Sequence, residues 1–157
     1  MNEQTILGLD VGERRIGVAI GDTGARIAAP VTTIAAHPPE RAIARIAHLV
    51  AERGVARVVV GLPLTMRGEH GPQAMAVQRF AETLAAAIPC PVELFDERLT
   101  SVAAEQMLRN LGLKPAKIRQ QIDQVAASII LQDYLDAQRN LNSSCAEAEY
   151  ETRHPTD

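Results

Sequence analysis

Asp10 ends an apolar run, with Leu7, Leu9 and Val11 around it and Gly8 and Gly12 on either side. A carboxylate at the end of a central strand is costly unless it is hydrogen-bonded, paired or metal-bound. Flanking glycines leave room for a ligand or a second backbone to come close. The plainer use of such an Asp, closing a hairpin turn, is already served by Glu13 and Arg14. Asp96 and Glu97 follow a second strand-like run, at the carboxyl end where open α/β sheets hold their ligands. Alternation puts these two acids on opposite faces, so one of them points to a shared site, and the residues alone leave open which. An ion pair with Arg98 and a helix cap are their competing uses. Asp123 shares a helical face with Ala126, Ala127, Ile130 and Tyr134. There it is an acid on an apolar stripe, with a helix-opening Asp favoured by the dipole as the alternative.

Three converging carboxylates suit a hard cation, Mg²⁺ or Mn²⁺, which takes oxygen ligands and shares its site with substrate phosphates. Two such ions, about 4 Å apart, activate a water and stabilise the leaving oxygen of a phosphodiester. No His or Cys spacing suits zinc. Cys90 lies between two prolines and Cys145 in a polar tail, which reads as reduced thiols in a cytoplasmic protein. His37 and His48 read as surface residues and His154 belongs to the tail; His70, in the loop 62–71, is the one histidine placed to shuttle a proton. Arg14, Arg67, Arg98, Lys114, Lys117 and Arg119 lie next to the acids or in that loop, where they can grip phosphates. The net charge of −3 does not announce a nucleic-acid binder, so affinity must come from such local clusters or from bound ions. Aromatics at 3% and no Trp argue against a base-stacking platform for single strands.

The elements that would position these residues follow from periodicity. Residues 5–11, 15–20 and 27–34 read as strands, the first two a hairpin, with Pro30 marking an edge or an irregularity. Ile43, Ile46, Ala47 and Val50 recur at helical spacing until Gly54. Residues 57–61 are continuously apolar, as in a strand buried on both faces. Pro72 opens a helix whose face runs Met75, Phe80, Leu84 and Ala87. Residues 91–95 read as another buried strand. A third helix starts near Thr100 or Ser101 and stops at Gly112. Residues 113–121 read as a basic connector before a long helix over 122–138, and residues 139–157, without periodicity, as a disordered tail. One domain over 1–138 results. The order βββαβαβαα gives a mixed five-stranded sheet, three antiparallel strands and then two parallel ones, with helices on both faces. That is the arrangement of a ribonuclease H-like fold.

The segments ILGLDVGERRIGVAIGD, VVVGLPLTMRGEHGPQA, VELFDERLTS and IDQVAASIILQDYL, in this order between residues 5 and 138, resemble the YqgF-type family. Its members are bacterial Holliday-junction-resolvase-like proteins, also described as pre-16S rRNA nucleases. The resemblance implies a metal-dependent phosphodiesterase that processes the 5′ end of pre-16S rRNA in ribosome biogenesis. It carries the metal-holding, catalytic acids onto Asp10, Glu97 and Asp123, choosing Glu97 over Asp96. The partners it implies are RNA or branched DNA, with ribosomal components and without a membrane, for a monomer or a homodimer. Two other classes compete. An actin-like ATPase or sugar kinase is suggested by D-V-G-E-R-R-I-G as a phosphate-binding hairpin, but such enzymes close two domains and this chain has room for one. A non-catalytic nucleic-acid or ribosome-associated factor would keep the fold without turnover.

Overall fold

A computed structural model describes residues 3–64, 69–97 and 100–153. The alternating apolar residues at the start of the chain form a meander of β1 (Thr5–Val11), β2 (Arg15–Asp22) and β3 (Ala29–Ala35). Pro30 sits in the edge strand β3, where the register with β2 shifts. Helix α1 (Pro39–Arg53) ends on Gly54 at φ +60°, a left-handed cap that suits glycine. Then follow β4 (Val55–Pro63), α2 (Pro72–Ala87), β5 (Val92–Glu97), α3 (Thr100–Asn110) and α4 (Pro115–Arg153). The strand order is β3-β2-β1-β4-β5, with β1 antiparallel to β2 and parallel to β4, and β4 parallel to β5. The mixed five-stranded sheet expected from the sequence is the one observed.

Each face of the sheet carries its own core. On one side Leu7, Leu9, Val58 and Val60 pack with Ile46 and Val50 of α1 and Val77 and Leu84 of α2. On the other, Ile6, Ala19 and Val59 pack under Ala127, Ile130, Leu131, Tyr134 and Leu135 of α4. Helix α3 lies outside α4, burying Ala104 and Leu108 against Ile118, Val125 and Ala126. No helix among the described residues is long and apolar enough to cross a membrane.

Four expectations are corrected. Strand β5 is not buried: it is the sheet's other edge, and Glu93, Leu94 and Asp96 are exposed. An apolar run reports strand propensity, whereas burial depends on a neighbour that β5 has on one side alone. The buried face of α2 is Ala74, Val77, Ala81 and Leu84, leaving Met75 at 54% exposure, because the alanines let the helix lie closer to the sheet than bulkier residues would. Helix α4 begins at Pro115, so most of the supposed connector is helical: proline suits a first helical position, and Ile118, Ile122 and Val125 continue the apolar spacing against α3. The helix also runs through Arg153, across the stretch read as a disordered tail, where Ala, Glu, Leu and Arg favour helix and neither Gly nor Pro interrupts.

Candidate functional site

The two faces of β1 are used differently. Leu7 and Leu9 point to α1 and α2, whereas Ile6, Gly8 and Asp10 point to α4. Asp10 pairs with Gly17 of β2, and α4 passes directly over that pair. A Cβ on Gly17 would collide with the backbone carbonyl of Asp123, and one on Gly8 would lie 2.8 Å from Cβ of Leu131. The glycines near Asp10 thus admit a second backbone, that of α4. This close approach lowers Asp123 onto the end of β1. Asp123 lies in the third turn of α4 rather than at its start, so its role is not to open the helix.

The hairpin tip beside Asp10 is pinned from several sides. Gly12 N–H donates to the Arg15 carbonyl at 2.9 Å, and Ala36 N–H to the Arg14 carbonyl at 2.9 Å. The His37 ring nitrogen Nε2 bonds the Glu13 carbonyl at 2.9 Å, and the Gln73 amide donates to the Val11 carbonyl at 3.3 Å. A fixed tip fixes the end of β1, and with it the carboxylate.

Burial, and secondarily the negative charge of Asp123, push the Asp10 carboxyl up from its ordinary 3.8 to about 6. No donor among the described residues offsets these two effects. Asp123 is better provided: Arg15 donates from Nε to its Oδ2 at 2.8 Å, with the arginine side chain 55% and the aspartate side chain 20% exposed. The result is an anionic site between sheet and helix, with Asp123 held by a surface cation and Asp10 by none among the described residues.

Of the remaining sequence-predicted residues, Glu97 ends β5 opposite Pro63. Glu93 bonds the Tyr134 hydroxyl at 2.7 Å and Phe95 packs edge-on against the Tyr134 ring, so this parity of β5 faces α4. Alternation then puts Glu97 on the face of Asp10 and Asp96, which is exposed, on the other. Leu9 pairs with Val60 and Gly61 with Phe95, so Asp10 lies level with Phe95 two strands away. Two strand spacings and one pleat put the Cα atoms of Asp10 and Glu97 about 12 Å apart. Glu97 therefore shares the face of Asp10 from two strands away. No group of three acids, histidines or cysteines among the described residues is close enough to hold a metal by itself.

Arg14 is exposed in the hairpin turn, and Lys114, Lys117 and Arg119 are exposed at the start of α4, Arg119 one turn before Asp123. His70 is exposed in its loop. Arg67 and Arg98 lie outside the described residues. Sequence reasoning passes over Arg15 in favour of its neighbour Arg14; the available signal was parity, since Arg15 and Gly17 must share the face of Asp10 once the hairpin register is known.

The family model described as RuvX, Holliday junction resolvase, matches residues 4–137. A Chloroflexus aggregans protein named "Putative pre-16S rRNA nuclease" is 85% identical over 140 residues, 89% of this chain and 99% of its own length. One of the same name from Roseiflexus sp. is 54% identical over 134 residues, 85% of this chain and 95% of its own. Among solved structures, T. thermophilus RuvC in complex with a Holliday junction substrate matches with TM-score 0.52 at 17% identity, over 87% of this chain and 96% of its own. The fowlpox virus Holliday junction resolvase matches with TM-score 0.51 at 14% identity, over 85% and 99%. These two likenesses are of fold, and that fold is ribonuclease H-like.

Proposed function

This chain belongs to the RuvX Holliday junction resolvase family, and from that premise we propose that it is a divalent-metal nuclease whose working groups are Asp10, Asp123 and Glu97. The observation that carries the reading is the partly buried Asp10 at the end of a central strand, its carboxyl raised by desolvation and by the charge of the neighbouring Asp123. Asp10 and Asp123 supply carboxylate oxygens, which fits Mg²⁺ or Mn²⁺, and the one cation paired with them among the described residues, Arg15, is an exposed side chain on Asp123. Asp10 and Asp123 would hold the metal from floor and roof, and Glu97 from the far side of the same sheet face, with two ions in all. When bound, such ions activate a water and stabilise the leaving oxygen.

That the acids do not close a cage alone agrees with Mg²⁺, which keeps several waters and takes substrate phosphate oxygens as ligands. Asp10 must give up its proton first, and α4 keeps bulk water from its inner side. Arg14, Lys114, Lys117 and Arg119, together with Arg67 and Arg98, would steady the strand through its phosphates. The products would carry 5′-phosphate and 3′-hydroxyl ends.

The substrate we propose is the 5′ region of precursor 16S rRNA, by the name its relatives carry. The protein would act in the cytoplasm with ribosomal components as partners. Branched DNA is the second reading, favoured by the family description; it would require a dimer presenting two sites. The test is to offer 5′-extended 16S rRNA and a four-way junction, each with Mg²⁺ or Mn²⁺, to the protein and to Asp10→Asn. Cleavage of the RNA that is lost in the variant, with binding retained, is the expected result. Failure to cleave either substrate with either metal would leave a binding factor.

A further inference from the structure

Asp123 is held by Arg15 through a single 2.8 Å contact, and the arginine comes from solvent rather than from the core. The guanidinium stands at the mouth of the anionic pocket, where the positive charge that the site demands would enter. It is bound by one nitrogen, Nε, and its side chain is 55% exposed, so nothing in the fold requires it to stay. Asp10 has no such partner among the described residues.

We propose that Arg15 is an exchangeable counter-charge: it holds Asp123 while the pocket lacks a cation, and passes to a phosphate oxygen of the substrate strand when a divalent ion takes the carboxylate. This inference rests on the metal-dependent reading of the pocket. The exchange keeps a cation beside Asp123 at each stage. Without metal, the guanidinium offsets one of two facing carboxylates. With metal, Asp123 turns to the ion, and Arg15 is left on the rim beside the hairpin tip, a planar fork suited to phosphate. The short reach matters, because the same side chain can meet the strand at the place where the metals would meet it. Arg15 is thus a positioning residue for the strand and a competitor of the ion.

The experiment compares the intact protein with Arg15→Gln and Arg15→Lys, using Mn²⁺ alone as the calorimetric probe and a non-cleaved 5′-extended 16S RNA, its cleavage-site linkage blocked, for binding with metal present. Arg15→Gln should bind Mn²⁺ about two- to fivefold more tightly, the factor that an exposed ion pair commands. The gain should shrink as KCl is raised, because an exposed ion pair is screened by salt. The slope of log affinity for RNA against log salt should fall by about 0.7 to 0.9, one phosphate contact, in Arg15→Gln but not in Arg15→Lys. Unchanged Mn²⁺ affinity in Arg15→Gln at low salt overturns the exchange; an unchanged RNA slope overturns the phosphate contact. If the unsubstituted protein binds no Mn²⁺ at all, the metal-dependent reading itself fails. Far-ultraviolet circular dichroism and melting establish that each variant is folded, as expected for an exposed side chain at the start of a strand.

Discussion

Replacing Asp10 with Asn should make the metal-free protein more stable while abolishing cleavage. The carboxyl titrates at about 6 in the folded chain against an ordinary 3.8. A raised value means that ionisation opposes folding: the favourable contribution of Asp10 is complete below pH 3.8 and is lost as the pH rises through about 6. A gap of about 2 pH units corresponds to about 3 kcal/mol at neutral pH and above. Asn removes the charge but leaves a partly buried amide to satisfy, so the expected net gain at pH 8 is about 1–3 kcal/mol. For a chain of this length that raises Tm by about 3–9 °C. Urea and thermal denaturation in EDTA at pH 8 and pH 4 would measure it, with the two proteins converging at the lower pH. Mg²⁺ should stabilise the unsubstituted protein and not the variant. A variant no more stable at pH 8, or a stability difference that does not change with pH, would refute the electrostatic reasoning. The same proton competes with the ion, so Mn²⁺ affinity should fall about tenfold per pH unit below about pH 6.

Three further outcomes are expected. Glu97→Gln should lower the cleavage rate at least a hundredfold, whereas Asp96→Asn, on the opposite face, should leave it within a few-fold, measured at saturating Mg²⁺. Gly17→Ala should cost about 1–3 kcal/mol or more in denaturation experiments, because the new methyl meets the Asp123 backbone and not a flexible side chain. Tyr134→Phe should cost about 1 kcal/mol, through loss of the hydroxyl that Arg57 donates to at 2.5 Å and that itself donates to Glu93 at 2.7 Å, with cleavage unaffected.

Local signals made most of the architecture readable. The hairpin, the Gly54 stop and the Pro72 start each depend on a few adjacent residues, and all fall where the chain predicts them. What escaped depends on contacts distant in sequence. The exposure of β5 follows from its place at the sheet's edge, which no feature of the run 91–95 encodes. The side taken by Glu97 becomes visible once Phe95 is seen against Tyr134. Arg15 was hidden because its partner lies on α4, more than a hundred positions along the chain. The early start of α4 was legible in principle, since Pro115 and the spacing of Ile118, Ile122 and Val125 carry it, but the basic residues among them resembled a loop.

The docking of α4 beside Asp10 has a consequence for how such a protein can lose its activity. Helix and sheet meet there through main chain, glycine against carbonyl, and the side chain at 123 adds one exposed ion pair to that contact. Hydrolysis can therefore disappear by drift at one position while the shape survives intact. On the role proposed for Asp123, a copy so altered would still bind nucleic acid without cutting it.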